Sequence, residues 1–303
     1  MLNYEFRLRA RKALQNNWQI ALLVGLIAAL PSLISQLVTS LTGGSLAQRL
    51  TTLLENNMDI LYSNEQLLSE LENIAKDPGY NWSVAVSIVA WLVAPVLSLG
   101  LTAYLMDLLR MKAGQVSSVF CRLKVWHKSI GLNIMVALKA FLWALPGLAV
   151  TIGATVLLTM NATVDNVQSL LMWANFLAYA GTAATVIPMV LAMLRYAMST
   201  MVLADEPTTG VMQCIRRSKE MMNKQKGNYF LLQLSFIGWY LFLLLLEMFL
   251  ASAIGYVLAS TVYMVLNLAL NIYVTATCCA FYMNLKGESP VIVLPKMTNG
   301  FDQ

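Results

Sequence analysis

The sequence predicts an all-α fold: a polytopic membrane helix bundle with six transmembrane helices, three cytoplasmic amphipathic interfacial helices and a small helical outer loop. Of the 303 residues, 58% are hydrophobic and 12% are charged, whereas soluble domains are about half apolar and about a quarter charged. The apolar residues are concentrated in six membrane-length runs, and the basic residues lie almost wholly on alternate connecting segments. We therefore expect residues 1–303 to form one membrane domain.

Each apolar run is long enough to cross a bilayer, because a helix rises about 1.5 Å per residue and the hydrocarbon core is about 30 Å thick. The last two runs are nearly continuous, so the chain must turn tightly after Ile254-Gly255. The predicted spans are approximately Trp18–Val38, Ser83–Met106, Leu132–Leu158, Ser169–Leu203, Tyr229–Ala253 and Ser260–Leu285.

The distribution of basic residues predicts the orientation of these spans. Only Arg49 and Lys76 lie on the predicted outer segments, and Lys139 and Arg195 lie inside apolar runs near their basic ends. The other basic residues lie before the first span, between the second and third spans, between the fourth and fifth spans, and in the tail: Arg7, Arg9, Arg11, Lys12; Arg110, Lys112, Arg122, Lys124, Lys128; Arg216, Arg217, Lys219, Lys224, Lys226; Lys286, Lys296. The positive-inside rule then predicts a multi-pass protein of the cytoplasmic membrane with both termini in the cytoplasm. The net charge of +5 follows from loops that face anionic lipid head groups, so it indicates no nucleic-acid partner.

The outer loop, residues 39–82, is predicted to be helical. Acidic residues outnumber its two bases, as expected for the outer side. Two apolar stripes at helical spacing predict two short amphipathic helices: Leu46, Leu50, Leu53 and Leu54, then Leu67, Leu68, Leu71 and Ile74. Lys76-Asp77-Pro78-Gly79 then predicts a helix stop and a turn.

The chain also shows a pattern of three surface helices, each followed by a transmembrane hairpin, over residues 3–106, 115–203 and 208–285. The three apolar faces are Leu2, Phe6, Ala10, Ala13 and Leu14; Val116, Val119, Phe120 and Leu123; and Val211, Met212, Ile215, Ser218 and Met222. Basic residues surround each face, as in helices that lie on a membrane surface. The alternative is that any cytoplasmic loop of a membrane protein looks basic and amphipathic.

Two sets of residues are candidates for binding. Arg216, Arg217 and Lys219 lie on the polar face of the third surface helix, whose start at Ala204–Thr208 contains capping residues and a proline, and they are predicted to contact anionic lipid or a partner. Glu247 is an acidic residue within an apolar run, and Asn267 and Asn271 share one face of the sixth span, so these three are candidates for lining a transport cavity. Snorkelling of Glu247 to the outer interface and interhelical hydrogen bonding of the two asparagines are the structural alternatives. Pro31, Pro95, Pro146 and Pro188, one in each of the first four spans, either kink helices around such a cavity or serve packing alone.

The sequence offers little for catalysis. His127 is the only histidine, and the four cysteines, Cys121, Cys214, Cys278 and Cys279, have no metal-ligand spacing. A phosphate-binding glycine loop and the HExxH pattern are both missing from the sequence. We therefore expect a protein that is not an enzyme and has no metal or cofactor.

Several blocks of the sequence resemble an uncharacterised bacterial membrane family, domain of unknown function 975. The blocks that carry this resemblance are Arg9–Trp18, Leu142–Gly147, Tyr196–Pro207 with its continuation to Trp239, and Ala280–Tyr282. The resemblance covers nearly the whole chain. It implies a six-span membrane protein of Gram-positive type bacteria, and it implies no activity.

The leading interpretation is a non-enzymatic integral membrane protein that binds anionic lipid head groups, or another membrane or cytoplasmic protein, through its basic surface helices. One alternative is a small-molecule or lipid transporter or exporter that uses proline-kinked helices. Such a transporter requires a polar cavity at mid-depth. Another alternative is a membrane immunity or stress protein, which the sequence does not separate from the leading interpretation.

Overall fold

The computed structural model describes residues 3–42, 49, 69, 72–112, 122–160 and 167–288, and within these residues it contains helices and no strands. A 3₁₀ turn over Arg122–Val125 precedes the fourth α-helix. The α-helices are α1 (Asn3–Leu14), α2 (Trp18–Leu41), α3 (Pro78–Leu109), α4 (Trp126–Met160), α5 (Val167–Tyr196), α6 (Ser199–Asp205), α7 (Val211–Met221), α8 (Lys226–Ile254) and α9 (Tyr256–Leu285).

Six helical stretches of the described chain are long and apolar enough to cross a membrane, which confirms the predicted six-span fold class. They are Trp18–Leu41, Pro78–Leu109, Arg122–Gly153, Tyr179–Asp205, Lys226–Ala253 and Leu258–Leu285. The fourth stretch is interrupted, because the chain forms a turn at Ala197 and Met198 between α5 and α6. The helices α2 to α5 each continue through their proline.

The start of α3 differs from the sequence expectation. The helical residues 72–76 end before Asp77, as the predicted stop requires. In place of the expected turn, Asp77 caps α3 by accepting a hydrogen bond from the Gly79 amide at 2.9 Å, with Pro78 at the first helical position. An aspartate cap followed by proline is a favoured helix start, because proline has no amide hydrogen to satisfy and its φ angle is already helical. The second span therefore begins several residues earlier than Ser83.

The helices pack as three hairpins, which we call hairpin 1 (α2 and α3), hairpin 2 (α4, α5 and α6) and hairpin 3 (α8 and α9). Contacts within each hairpin are more extensive than those between hairpins. Glycine permits the closest approach in hairpin 2, since a Cβ on Gly147 would lie 2.6 Å from backbone atoms of Thr185. In hairpin 3, Gly255 alone connects the two helices, with φ of 89°, a left-handed value that glycine adopts without strain. Whether the hairpins are sequence repeats stays a prediction.

One end of the bundle holds α1, the end of α3, the α6–α7 connection and the end of α9, and we call it the basic end. Its interior contains the largest fully buried side chains of the described chain, among them Tyr104, Met198 and Tyr282. The α1 residues Phe6, Ala10, Ala13 and Leu14 are all buried in this core, with the Phe6 and Phe281 rings 5.3 Å apart. The apolar face of α1 therefore contacts the bundle itself.

The helix α7 also packs onto the bundle, with most of the expected face: Ile215, Ser218 and Met222 are buried and Val211 packs against the core. Cys214 takes the place of Met212 on that face, since Cys214 is buried and Met212 is 59% exposed. The Ser218 hydroxyl donates to the carbonyl of Arg195 at 3.1 Å, which links α7 to the end of α5. The start of α7 differs as well. Its N-cap is Gly210, without a side-chain cap, so the residues Ala204–Thr208 do not cap it.

Two other expectations fall largely outside the described residues. Of the region of the two predicted outer-loop helices, the structure describes only Arg49, Ser69 and residues 72–76. Residues 72–76 are helical. The second surface helix also lies outside the described residues except for Leu123, which is in the 3₁₀ turn.

Candidate functional site

The Asp205 carboxylate is the centre of a group of charged residues at the basic end, which we call the ion-pair cluster: Arg110, Asp205, Glu206, Arg217, Lys286 and Glu288. Only 7% of the Asp205 side chain is exposed, and it forms ion pairs with Arg110 at 2.9 Å and with Lys286. The Tyr282 hydroxyl donates to the same carboxylate at 3.2 Å. Because these residues come from the ends of α3, α6 and α9, the ion-pair cluster joins three spans at one point.

Other contacts extend the ion-pair cluster to α7 and to the end of the described chain. Arg110 also pairs with Glu288 at 2.7 Å, and Arg217 donates to Glu206. Hydrogen bonding to Glu288 raises the pKa of Arg110, and the bond to Asp205 raises the pKa of Lys286. Hydrogen bonding from Arg217 lowers the pKa of Glu206. Each charge is thus stabilised by an opposite charge.

The backbone that follows Asp205 and Glu206 is held from hairpin 2. The Lys128 ammonium donates to the carbonyls of Pro207 at 2.9 Å and Thr208 at 3.0 Å. This anchors the α6–α7 connection and thereby fixes the direction in which α7 leaves the ion-pair cluster.

The opposite side of α7 borders a cavity of about 390 Å³, which we call the basic pocket. Four cationic side chains line it, together with one carboxylate and one amide: Arg195, Arg216, Lys219 and Lys226, with Glu220 and Asn223. The Arg195 guanidinium lies 5.6 Å from the centre of the Trp143 ring, which places a cation–π contact beside the pocket. Glu220 pairs with Arg216 at 3.1 Å, so the lining residues keep a surplus of positive charge.

The structure separates the three basic residues that the sequence grouped together. Arg216 and Lys219 line the basic pocket, whereas Arg217 points to Glu206 in the ion-pair cluster. Neighbouring residues on a helix lie about 100° apart, so Arg216 and Arg217 cannot share one face. The sequence analysis did not include Arg195 and Lys226 in this site. Arg216 and Lys219 are three residues apart on α7 and therefore share one helical face. Asn223 and Lys226 lie beyond the end of α7, in the turn and at the start of α8, so helical spacing did not indicate them.

Glu247, Asn267 and Asn271 come together at membrane depth, where all three line a cavity of about 540 Å³ between hairpin 1 and hairpin 3. Asn271 donates to the Asn267 side chain at 3.0 Å and accepts from the Tyr240 hydroxyl at 3.1 Å. The remaining lining residues are Leu26, Ala29, Ser32, Leu33, Gln36, Ser260, Thr261, Tyr263, Met264, Val265 and Leu268. We call this space the Glu247 cavity.

A second cavity, of about 750 Å³, lies between hairpin 1 and hairpin 2, and the sequence analysis did not predict its position. Its polar lining consists of hydroxyl and amide groups: Ser32, Ser35, Gln36, Ser87, Ser98, Ser129, Asn133, Tyr196, Ser199 and Thr200. Ser35 and Ser87 are hydrogen-bonded at 2.9 Å between α2 and α3, and Ser129 donates to the carbonyl of Pro95 at 2.8 Å. Ser32 and Gln36 line both cavities, so polar space borders α2 on two sides.

Within the residues that the structure describes, no group of three or more His, Cys, Asp or Glu side chains is placed to hold a metal ion. Cys214, Cys278 and Cys279 are free and buried. His127 is exposed, with its ring 6.0 Å from that of Trp126.

Three hairpins, polar cavities between them and a charged end define a six-span helical membrane protein. The chain belongs to the DUF975 family, proteins of unknown function, whose sequence profile matches residues 1–289. This match confirms the resemblance drawn from the sequence. No curated protein and no solved structure matches the chain.

Proposed function

We propose that the protein is a non-enzymatic component of the cytoplasmic membrane that binds an anionic phosphate group, such as that of a lipid head group, in the basic pocket. The observation that carries this proposal is the convergence of four cationic side chains from α5, α7 and the start of α8 around one cavity that contains a single carboxylate. In this proposal the basic end faces the cytoplasm, in agreement with the positive-inside rule.

The chemistry of the basic pocket fits an anionic group, and its position favours a lipid phosphate. Arginine presents paired N–H donors that match phosphate oxygens, and lysine adds a mobile point charge. Arg195 is in the last turn of α5 and Lys226 is the first residue of α8, so the pocket lies at the ends of two spans. Lipid phosphates lie at this level of a bilayer, and anionic lipids attract basic residues there.

The test is a binding titration on the purified protein in an uncharged detergent, followed by native mass spectrometry. Phosphatidylglycerol, phosphatidylcholine and inorganic phosphate are compared for the unmodified chain and for the double variant R216Q/K219Q. We expect phosphatidylglycerol to bind most tightly and the double variant to lose about 30-fold in affinity, at about 1 kcal/mol for each of the two cations near a membrane surface.

The matched control is R11Q/K12Q, which removes the same charge from α1. If this control loses as much affinity as R216Q/K219Q, binding reflects overall charge and the proposed pocket is wrong. Binding of inorganic phosphate as tight as that of phosphatidylglycerol would assign the pocket to a soluble ligand.

A second candidate function is transport of a small molecule or lipid across the membrane. The two polar cavities between the hairpins support it, because polar space at membrane depth is the feature that a transporter requires. The test is uptake of a labelled solute into proteoliposomes. If filling the serine-lined cavity with the variant S87F/S129F leaves uptake unchanged, that cavity is not the path.

A further inference from the structure

We propose that the Glu247 cavity binds a small organic cation, with the Glu247 carboxylate as its counter-ion. This inference deepens the second candidate function and rests on it, since it names the class of substrate that such a transporter would carry.

The charge of the cavity is set by one residue. Between Lys226 and Lys286 the sequence contains a single charged residue, Glu247. Among the residues that the structure describes, no basic side chain lines the cavity and Glu247 takes part in no ion pair. The other polar lining groups are neutral amides and hydroxyls, so the site carries a net negative charge whenever Glu247 is ionised.

The depth of Glu247 explains why a cation is the expected occupant. Glu247 precedes the Gly255 turn by two helical turns, about 12 Å along the axis at 1.5 Å per residue. A carboxylate at this depth is stabilised by a positive charge, since a lone charge in hydrocarbon is strongly unfavourable. Glu247 lines a cavity formed with α2 and α9, so a ligand in that cavity can reach its carboxylate.

The rest of the lining favours an organic cation over a metal ion. A hard metal ion requires about six oxygen ligands around it, and the α2 side of this cavity includes Leu26, Ala29 and Leu33. These apolar side chains suit the carbon substituents of an ammonium or phosphonium ion. Tyr263 adds an aromatic ring, a group that attracts cations. A volume of about 540 Å³ lies within the usual range for small-molecule sites.

The binding test uses two probes of the same shape and opposite charge, tetraphenylphosphonium and tetraphenylborate, and isothermal titration of the purified protein in an uncharged detergent. We expect the phosphonium to bind and E247Q to lose about 30-fold or more in affinity, the usual effect of removing one partner of a desolvated charge pair. E247D, which keeps the charge, should retain most of the affinity, and M248Q, which adds an amide to an exposed neighbouring position, should bind as the unmodified chain does.

Two results would overturn the inference: equal binding of the two probes, or unchanged phosphonium binding by E247Q. E247D distinguishes loss of the charge from misfolding of the site. If E247Q lost binding only because the site misfolded, there would be no reason for E247D to bind the phosphonium.

A second measurement distinguishes this inference from the transport function on which it rests. Proteoliposomes are tested for uptake of labelled tetraethylammonium, which crosses bare bilayers slowly. One outcome is that phosphonium binding depends on Glu247 but uptake does not exceed that of empty liposomes. This outcome would contradict the transport function and would still support the cation site. Uptake that E247Q does not alter would overturn the cation site and leave transport standing.

Discussion

The two sides of α7 place similar residues in opposite electrostatic settings. On one side, Arg217 contributes to the ion-pair cluster, where every charge contacts an opposite charge and Asp205 is almost inaccessible. On the other side, Arg216 and Lys219 face a pocket where four cations surround one carboxylate. Neutralised charges hold helices together, whereas surplus charge remains available for a ligand. One side of α7 is thus neutralised within the fold, and the surplus charge on the other side is the basis of the proposed phosphate binding.

The largest expected effect is on the neutralised side. D205N removes the charge that Arg110 and Lys286 share, and leaves both cations beside a buried amide. We expect the free energy of unfolding to fall by about 3 kcal/mol, as for other buried pairs from which one partner is removed. Unfolding in mixed micelles titrated with dodecyl sulfate measures this change.

The control for D205N is E220Q, which removes an exposed carboxylate from the basic pocket and should alter stability by less than about 0.5 kcal/mol. Equal stability of D205N and the unmodified chain would show that the ion-pair cluster does not hold the spans together.

Arg217 gives a smaller effect that separates the two sides directly. R217Q breaks the pair with Glu206, whose side chain is 38% exposed, so we expect a much smaller loss of stability than for D205N. Phosphatidylglycerol binding should stay within about twofold of the original, because Arg217 does not line the basic pocket. A loss of binding as large as that of R216Q/K219Q would contradict the division between the two sides.

Glu220 sharpens the comparison from the binding side. E220Q removes the one carboxylate of the basic pocket and frees Arg216 from its pair. We expect phosphatidylglycerol to bind about twofold to fivefold more tightly, in line with about 1 kcal/mol or less for an exposed ion pair. Native mass spectrometry measures the ratio. Weaker binding by E220Q would indicate that Glu220 contacts the ligand.

The smallest expected effect concerns pH. Arg217 lowers the pKa of Glu206 below its ordinary value of 4.5, so this pair contributes stability above that value and loses it as the pH falls through the folded-state pKa. The difference in melting temperature between the unmodified chain and R217Q should therefore shrink as the pH is lowered from about 7 to about 3. A difference that stays constant over this range would show that the pair does not stabilise the fold.

The sequence predicts the spans well and the sites only in part. Membrane-length apolar runs identify the spans because every backbone group in hydrocarbon must be bonded within a helix. The site around Glu247 was also predictable in its members, since Glu247, Asn267 and Asn271 are polar residues in apolar runs. Packing between distant segments decides which helices face one another. The sequence therefore could not predict that Ser32 and Gln36 line the Glu247 cavity, or that the serine-lined cavity exists. The separation of Arg216 from Arg217 could not be predicted without knowing which face of α7 is buried. That face includes Cys214 and does not include Met212.

The single-residue connection at Gly255 bears on how hairpin 3 reaches the membrane during biosynthesis. With one non-helical residue between α8 and α9, no hydrophilic stretch has to be pulled through the lipid when the pair inserts. The two helices can therefore enter together as a preformed unit, and Glu247 is the sole acidic or basic residue between Lys226 and Lys286.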